Sequence, residues 1–203
     1  MKILPVILVF LTSFNSFSQT SHEAVSIQIH DIKGYGEYEN FARQSVEKLE
    51  TLLNSESFIS EFSKLKMTQT RGYGKTELLS IITAAKELRG DSQEKNTIDV
   101  RLRVMSLEED GQNWMENCII GSNAGTIGKE ADASGYTVTC KERIAIWAKN
   151  ESYGCMAGHI MHEYLHNLGF KHRFYSKKKS FVYNTGNLVR KMINKNNESC
   201  PTK

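Results

Sequence analysis

The run His162-Glu163-Tyr164-Leu165-His166-Asn167-Leu168-Gly169-Phe170-Lys171-His172 constrains this chain more than any other feature, because it has the form H-E-x-x-H-x-x-G-x-x-H. Two His four positions apart are neighbours on one face of a helix, so both imidazoles can reach one cation. Glu163 stands beside the first of them, within reach of a proton on a water held by that metal. Gly169 can take the left-handed conformation that ends a helix and turns the chain back. That turn would bring His172 round as a third ligand. Three protein ligands with one open position describe a catalytic zinc centre, whereas a structural zinc closes all four. Four of the six His lie between positions 159 and 172, which makes chance placement a poor account of the pattern.

A helix over about Gly154 to Leu168 turns roughly 100° per residue. His159 and Cys155 then fall on the side of His162 and His166, while Met161, Leu165 and Leu168 point toward a core. The run already provides three ligands, so His159 is read as a residue behind the ligands or facing solvent.

On these residues the chain resembles the metzincin clan of zinc metallopeptidases: His162, Glu163, His166, Gly169 and His172 occupy all five specified positions of the clan's extended signature. The likeness is strong over these positions, loose over residues 124–192, and limited to the order of elements before them. It implies an α+β, zincin-like fold in which a mixed, twisted β-sheet packs on helices and on the zinc helix. It implies one Zn²⁺ on His162, His166 and His172, with Glu163 as general base in peptide-bond hydrolysis. It also implies an antiparallel edge strand beside the cleft, Ala124–Lys129 or Tyr136–Cys140, able to bind an extended peptide by strand addition. The clan's tight turn with a Met beneath the zinc has no counterpart by sequence. The only later Met is Met192, within Asn187–Asn194, which reads as a terminal helix. Ser180–Gly186 reads as a loop without Met, leaving Val182, Tyr183 or Met192 to floor the site. Tyr183 is either a packed aromatic or a group that reaches the metal or a developing oxyanion.

The substrate expected is a peptide or protein. Two other readings share the site: hydrolysis of a non-peptide amide, and a non-catalytic zinc-bearing binding module on the same scaffold. An intact Glu163 argues against the second, since a retired site has no physical need for the base.

The chain opens with Lys2, the apolar run Ile3 to Phe10, and small residues at Ser16 and Ser18. That is the pattern of a secretory signal peptide over residues 1–18, cut after Ser18. The apolar run is too short for the roughly 20 residues of a spanning helix, so no membrane anchor is expected after cleavage. The expectation is a secreted or periplasmic, monomeric protein with one catalytic domain over residues 19–203. With 26 Lys and Arg against 23 Asp and Glu, charge gives no indication of nucleic acid or an anionic membrane as partner. Cys118, Cys140, Cys155 and Cys200 form an even set without the short spacing of structural zinc sites. Two disulfides are expected, in any of three pairings.

Alternation of apolar and polar residues predicts strands at Val25–Ile32 and Thr97–Met105, the second with Ile98, Val100, Leu102 and Val104 inward. Helical spacing predicts Glu37–Asn54, Ser57–Lys66 and Thr76–Arg89, the last stopped by Gly90. Arg71–Thr76 ends like a phosphate-binding loop but lacks its first Gly, since Gln69 stands there, and reads as a turn. Glu108–Gly111 lacks the alternating ligands of a calcium loop and reads as a solvated turn. Ala124–Gly128 and Tyr136–Thr139 read as short strands, and Arg143–Ala148, rich in Ile with Trp147, as a longer one.

Overall fold

A computed structural model describes residues 24–84, 94–115, 118, 135–172, 179–195 and 199–201. The first 23 residues, including the expected signal peptide, lie outside these, as does the expected strand Ala124–Gly128. The order is β1 (Ser26–Lys33), a 3₁₀ turn (Gly36–Tyr38), α1 (Glu39–Leu53), α2 (Glu56–Lys64), α3 (Lys75–Thr83), β2 (Thr97–Met105), the short α4 (Leu107–Asp110) and α5 (Gln112–Trp114), β3 (Tyr136–Cys140), α6 (Lys141–Lys149), α7 (Tyr153–Asn167) and α8 (Phe181–Ile193). This is an α+β arrangement, as the element pattern predicts. Helix α3 runs to Thr83 with Ala84 as its C-cap, and residues 85–90 of the expected helix and its stop lie outside the described residues.

The described sheet has the order β1-β2-β3 with both pairings parallel. Over the described residues the sheet is thus parallel, and Tyr136–Cys140, one of the two expected edge strands, lies at its edge and runs parallel to its neighbour rather than antiparallel, while the other, Ala124–Lys129, lies outside the described residues. A long connection separates β2 from β3, and a crossover of that length permits a parallel return that a tight hairpin forbids. Register pairs Ile27 with Ile98, Ile29 with Val100 and, after a shift, Ile32 with Leu102. On the other side Leu102 pairs with Thr137 and Val104 with Thr139. The central strand is covered on both faces, as parallel strands usually are. Asp99, expected to face outward, is buried and paired with His30 at 2.8 Å.

Arg143–Ala148 is not a strand but most of α6. Ile144 and Trp147, three apart, are its buried residues, and Lys141, Glu142, Ala145, Ala148 and Lys149 are helix formers. The β-branched pair Ile144 and Ile146 gave the strand signal, and packing overrode it. Glu108–Asp110 forms the turn of α4, where Ser106 accepts from the Glu109 N–H and Asp110 reaches back to Arg103 and the Ser106 N–H.

Helix α7 sits at the centre, packed against α1, α6, α8 and β3. The apolar core runs continuously around it, including Phe58, Phe62, Leu102, Ile144, Met156, Ile160, Leu165 and Phe181. Two disulfides close the molecule, Cys118–Cys140 at the end of β3 and Cys155–Cys200 from the first turn of α7 to the C-terminal segment. Among the described residues no helix is long and apolar enough to cross a membrane.

Candidate metal centre

Helix α7 ends as its sequence requires. Gly169 has φ +84°, its N–H donates to the His166 carbonyl, and the Phe170 N–H donates to the Leu165 carbonyl. This pair of bonds is the Schellman arrangement, open to Gly169 because it has no Cβ to clash. Phe170 then drops into the core against Phe181, with ring centroids 4.6 Å apart, and the chain passes on to His172.

The turn also fixes a ligand. His166 Nδ1 lies 2.7 Å from the Phe170 carbonyl oxygen and donates to it. A neutral ring protonated at Nδ1 keeps the lone pair of Nε2 for a cation. Burial pushes the His166 pKa down, and the Phe170 bond only partly offsets this. Both the neutral state and the tautomer therefore suit coordination.

The three predicted ligands converge. His162 Nε2 and His166 Nε2 lie 3.2 Å apart. Two nitrogens bound tetrahedrally to one zinc would be separated by about 3.3 Å. His172 closes the triangle, its ring centroid 5.4 Å from His162 and 4.9 Å from His166. The ligand atoms of the three all lie within 4.8 Å of one another, and no other such cluster of metal-ligating side chains occurs among the described residues. Three His residues close together can bind a metal ion.

Glu163 is 3 % exposed, and its Oε1 has no hydrogen-bond partner. That oxygen lies 3.8 Å from His162 Nε2 and 3.9 Å from His159 Nδ1. Burial pushes the Glu163 carboxyl up to about 8. A cation beside it would favour the ionised form and offset that burial. A buried carboxylate with one oxygen that takes no hydrogen bond, next to three clustered imidazoles, is thus a donor set that fits a divalent metal.

His159 is not solvent-facing. It is 8 % exposed, its Nε2 is 2.9 Å from the Val138 carbonyl of β3, and its ring meets Trp147 edge-on at 6.2 Å. It lies outside the ligand cluster.

The floor differs from the expected loop. Ser180–Gly186 forms the N-cap and first turns of α8, where Ser180 Oγ accepts from the Tyr183 N–H. The start of α8 is pinned by Thr68, whose N–H donates to the Lys179 carbonyl and whose carbonyl accepts from the Phe181 N–H. Tyr183 rests against the ligands, its ring 4.5 Å from His162 and 4.6 Å from His172. Burial, and secondarily the charge of Glu163, push its phenol pKa up, so the hydroxyl stays protonated.

Beneath His162 lies Gly186. A Cβ there would fall 3.3 Å from His162 Cβ and 2.8 Å from the Gly158 carbonyl oxygen. On α7, a Cβ on Gly158 would fall 2.6 Å from the Gly186 carbonyl oxygen. Glycine on both helices lets α8 pass against the backbone of α7 beside His162. Sequence reasoning missed these two residues. The signal was present in Gly154 and Gly158, four apart on the helix, a spacing that invites close approach of a second helix.

No family model, curated protein or solved structure matches this chain.

Proposed function

We propose that this protein is an exported zinc metalloendopeptidase of metzincin type, with His162, His166 and His172 as metal ligands and Glu163 as general base. The observation that carries the proposal is the convergence of three imidazoles, with a buried carboxylate oxygen that takes no hydrogen bond 3.8 Å from a ligand nitrogen. Zinc bound there supplies a Lewis acid that polarises a substrate carbonyl and acidifies a water.

The residues then divide the work. His166, locked by Phe170, and His162, backed by Gly186 and Tyr183, keep their ring planes fixed. Glu163 accepts the proton of the attacking water as the new C–O bond forms, then delivers it to the leaving nitrogen as the C–N bond breaks. Its burial limits competing water. The Tyr183 hydroxyl, kept protonated, is a hydrogen-bond donor beside the reacting centre. Two disulfides suit an oxidising compartment, in keeping with export to the periplasm or the exterior.

The test is cleavage of a mixed peptide library by the zinc-loaded protein, with and without chelator, beside Glu163→Gln. Chelator-sensitive cleavage is expected, lost by at least about a hundredfold in Glu163→Gln while zinc stays bound. Stoichiometric zinc without cleavage of any peptide would favour a zinc-bearing binding module, and equal rates for Glu163→Gln would remove Glu163 from the mechanism.

A further inference from the structure

We infer that Arg71, supported by Lys171 and Lys179, forms an anion-binding rim beside His172, and that the peptides this site takes carry acidic side chains near the bond cut. The inference rests on the peptidase reading above and names its substrate class. Its evidence is the meeting of two basic segments, 111 positions apart at Thr68 and Lys179, next to the metal ligands.

The chain is almost balanced, with 26 Lys and Arg against 23 Asp and Glu, yet its charges are unevenly spread. No acidic residue occurs between Glu163 and Glu198, nor between Glu61 and Glu77. The fold joins these two stretches. Thr68 donates its N–H to the Lys179 carbonyl at 2.8 Å, and its carbonyl takes the Phe181 N–H at 2.9 Å. Asn184 Nδ2 donates to the Lys66 carbonyl at 2.8 Å. The loop after α2 is thereby held against the start of α8, the turn that carries Tyr183, whose ring lies 4.6 Å from His172. The flanking carboxylates are already engaged: Glu61 pairs with Lys64 at 2.6 Å, and Glu77 takes the Gly74 N–H at 2.8 Å. Arg71, Lys171 and Lys179 are exposed, and none of them pairs with a carboxylate among the described residues.

Arg71 is placed as well as exposed. Its guanidinium carbon lies 5.8 Å from the centroid of the Phe170 ring, which Tyr73 meets edge-on at 6.4 Å. Phe170 is buried, and its carbonyl takes the Nδ1–H of His166 at 2.7 Å. Arg71 thus rests on the residue that lies between the ligands His166 and His172. A guanidinium stacked on a ring keeps its N–H fork for a carboxylate, which it binds through two parallel bonds. The backbone holds it there at a cost. The Tyr73 N–H donates to the Thr70 carbonyl at 3.1 Å and closes a tight turn, with φ +57° at Arg71 and +88° at Gly72. Turns with two positive φ favour Asn, Asp or Gly at the first central position. Arg is strained there, and such strain, where the surroundings hold it, clusters at functional sites.

Asn and Asp suit this turn better than Arg, so Arg71→Asn and Arg71→Asp should fold and keep one zinc. The zinc-loaded proteins are assayed on peptides in which each position within four residues of the scissile bond is Asp, Asn or Lys in turn. In wild type at low salt, Asp at the preferred position should raise kcat/KM about tenfold over Asn, through KM. The ratio should shrink toward one at about 0.5 M salt. Arg71→Asn should remove most of the preference, and Arg71→Asp should turn it toward Lys. Lys171→Gln with Lys179→Gln should lower it by about twofold. Lys149→Glu, the same change of charge on α6, should leave it intact. A packing role for Arg71 would instead lower kcat/KM for all peptides alike.

Cleavage without an acidic preference, or a preference that Arg71→Asp leaves unchanged, overturns the inference and leaves the peptidase reading standing. If wild type cleaves no peptide, that reading fails, and anisotropy of a fluorescent Asp-rich peptide tests the rim by itself. Binding weakened about fivefold or more by Arg71→Asp upholds acidic-peptide recognition, and equal binding overturns it. Arg71-dependent binding of heparin, with no preference among peptides, would assign the rim to a sulfated polysaccharide and overturn the inference.

Discussion

Against α8, helix α7 presents glycine; against β3, it presents an imidazole and an amide. On the α8 side the two backbones nearly touch, with room for no Cβ at Gly154, Gly158 or Gly186. On the β3 side contact is made by side chains, His159 to the Val138 carbonyl at 2.9 Å and Asn167 to the Gly135 carbonyl at 3.3 Å. The first flank is steric and sets how deep the His162 ring sits. The second is polar and ties α7 to the β3 side of the molecule. One helix can carry both ligands and base because its two flanks fix different things.

The comparison can be broken most sharply at the Cys155–Cys200 bond, which ties the first turn of α7 to the segment after α8 across a separation of 45 residues. Replacing both Cys with Ser should lower unfolding stability by about 4 kcal/mol, by loop-closure entropy, in denaturant titrations. A loss far smaller would mean that the glycine contact alone holds α8 in place.

The polar flank should show itself as pH dependence. Burial holds His159 at about 4, against 6.5 for an unburied ring. Between these values the unfolded chain binds the proton at this ring and the native state does not, so the His159 contribution to stability falls on acidification. The contribution is fully present above about pH 6.5, and about 3 kcal/mol of it is gone by pH 4. In the metal-free protein the raised Glu163 carboxyl works in the opposite direction, so the His159 contribution is read as the stability of wild type minus that of His159→Phe, a difference that should fall by about 3 kcal/mol between pH 6.5 and 4.

Gly158→Ala tests the steric flank. Its methyl would meet the Gly186 carbonyl at 2.6 Å, so the helices must part, at a cost of about 2 kcal/mol and with weaker zinc binding through a displaced His162. Thermal unfolding and competitive zinc titration read both effects. Unchanged zinc affinity in a destabilised variant would uncouple the floor from the ligands.

Smaller effects belong to single hydrogen bonds. Asn194→Ala leaves the Gly154 N–H without its acceptor, a 2.8 Å bond, and should cost about 1 kcal/mol. Asn167→Ala should cost about 0.5 kcal/mol, because its bond is long at 3.3 Å and its Oδ1 is already unpartnered. Reversal of that order in urea titrations would place more of the helix's restraint on β3.

How much of this was legible in the sequence differs between these same flanks. The ligands were readable because their spacing is local: His162, His166 and Gly169 belong to one helix and its end, and His172 follows three residues after the turn. The strand Thr97–Met105 was readable for the same reason, since alternation is a local pattern. The α8 flank was misread. Gly186 suggested a loop, because glycine is a poor helix former in isolation, yet a helix backbone approaching within contact of another needs it. Ser180 held the correct signal as an N-cap, but Tyr183–Thr185 lacked the apolar stripe that would have supported it. Strand direction was invisible, since parallel pairing depends on a connection and not on the strand's own residues. The buried setting of His159 was equally invisible, because its partner is a backbone carbonyl on β3.

The central claim is that His162, His166 and His172 together hold one zinc. X-ray absorption at the zinc edge of the purified, zinc-loaded protein tests it directly. The account predicts one zinc per chain, with three imidazole nitrogens at about 2.0–2.1 Å and a further light atom. A shell of sulfur at about 2.3 Å, or a folded protein that retains no zinc, would contradict it.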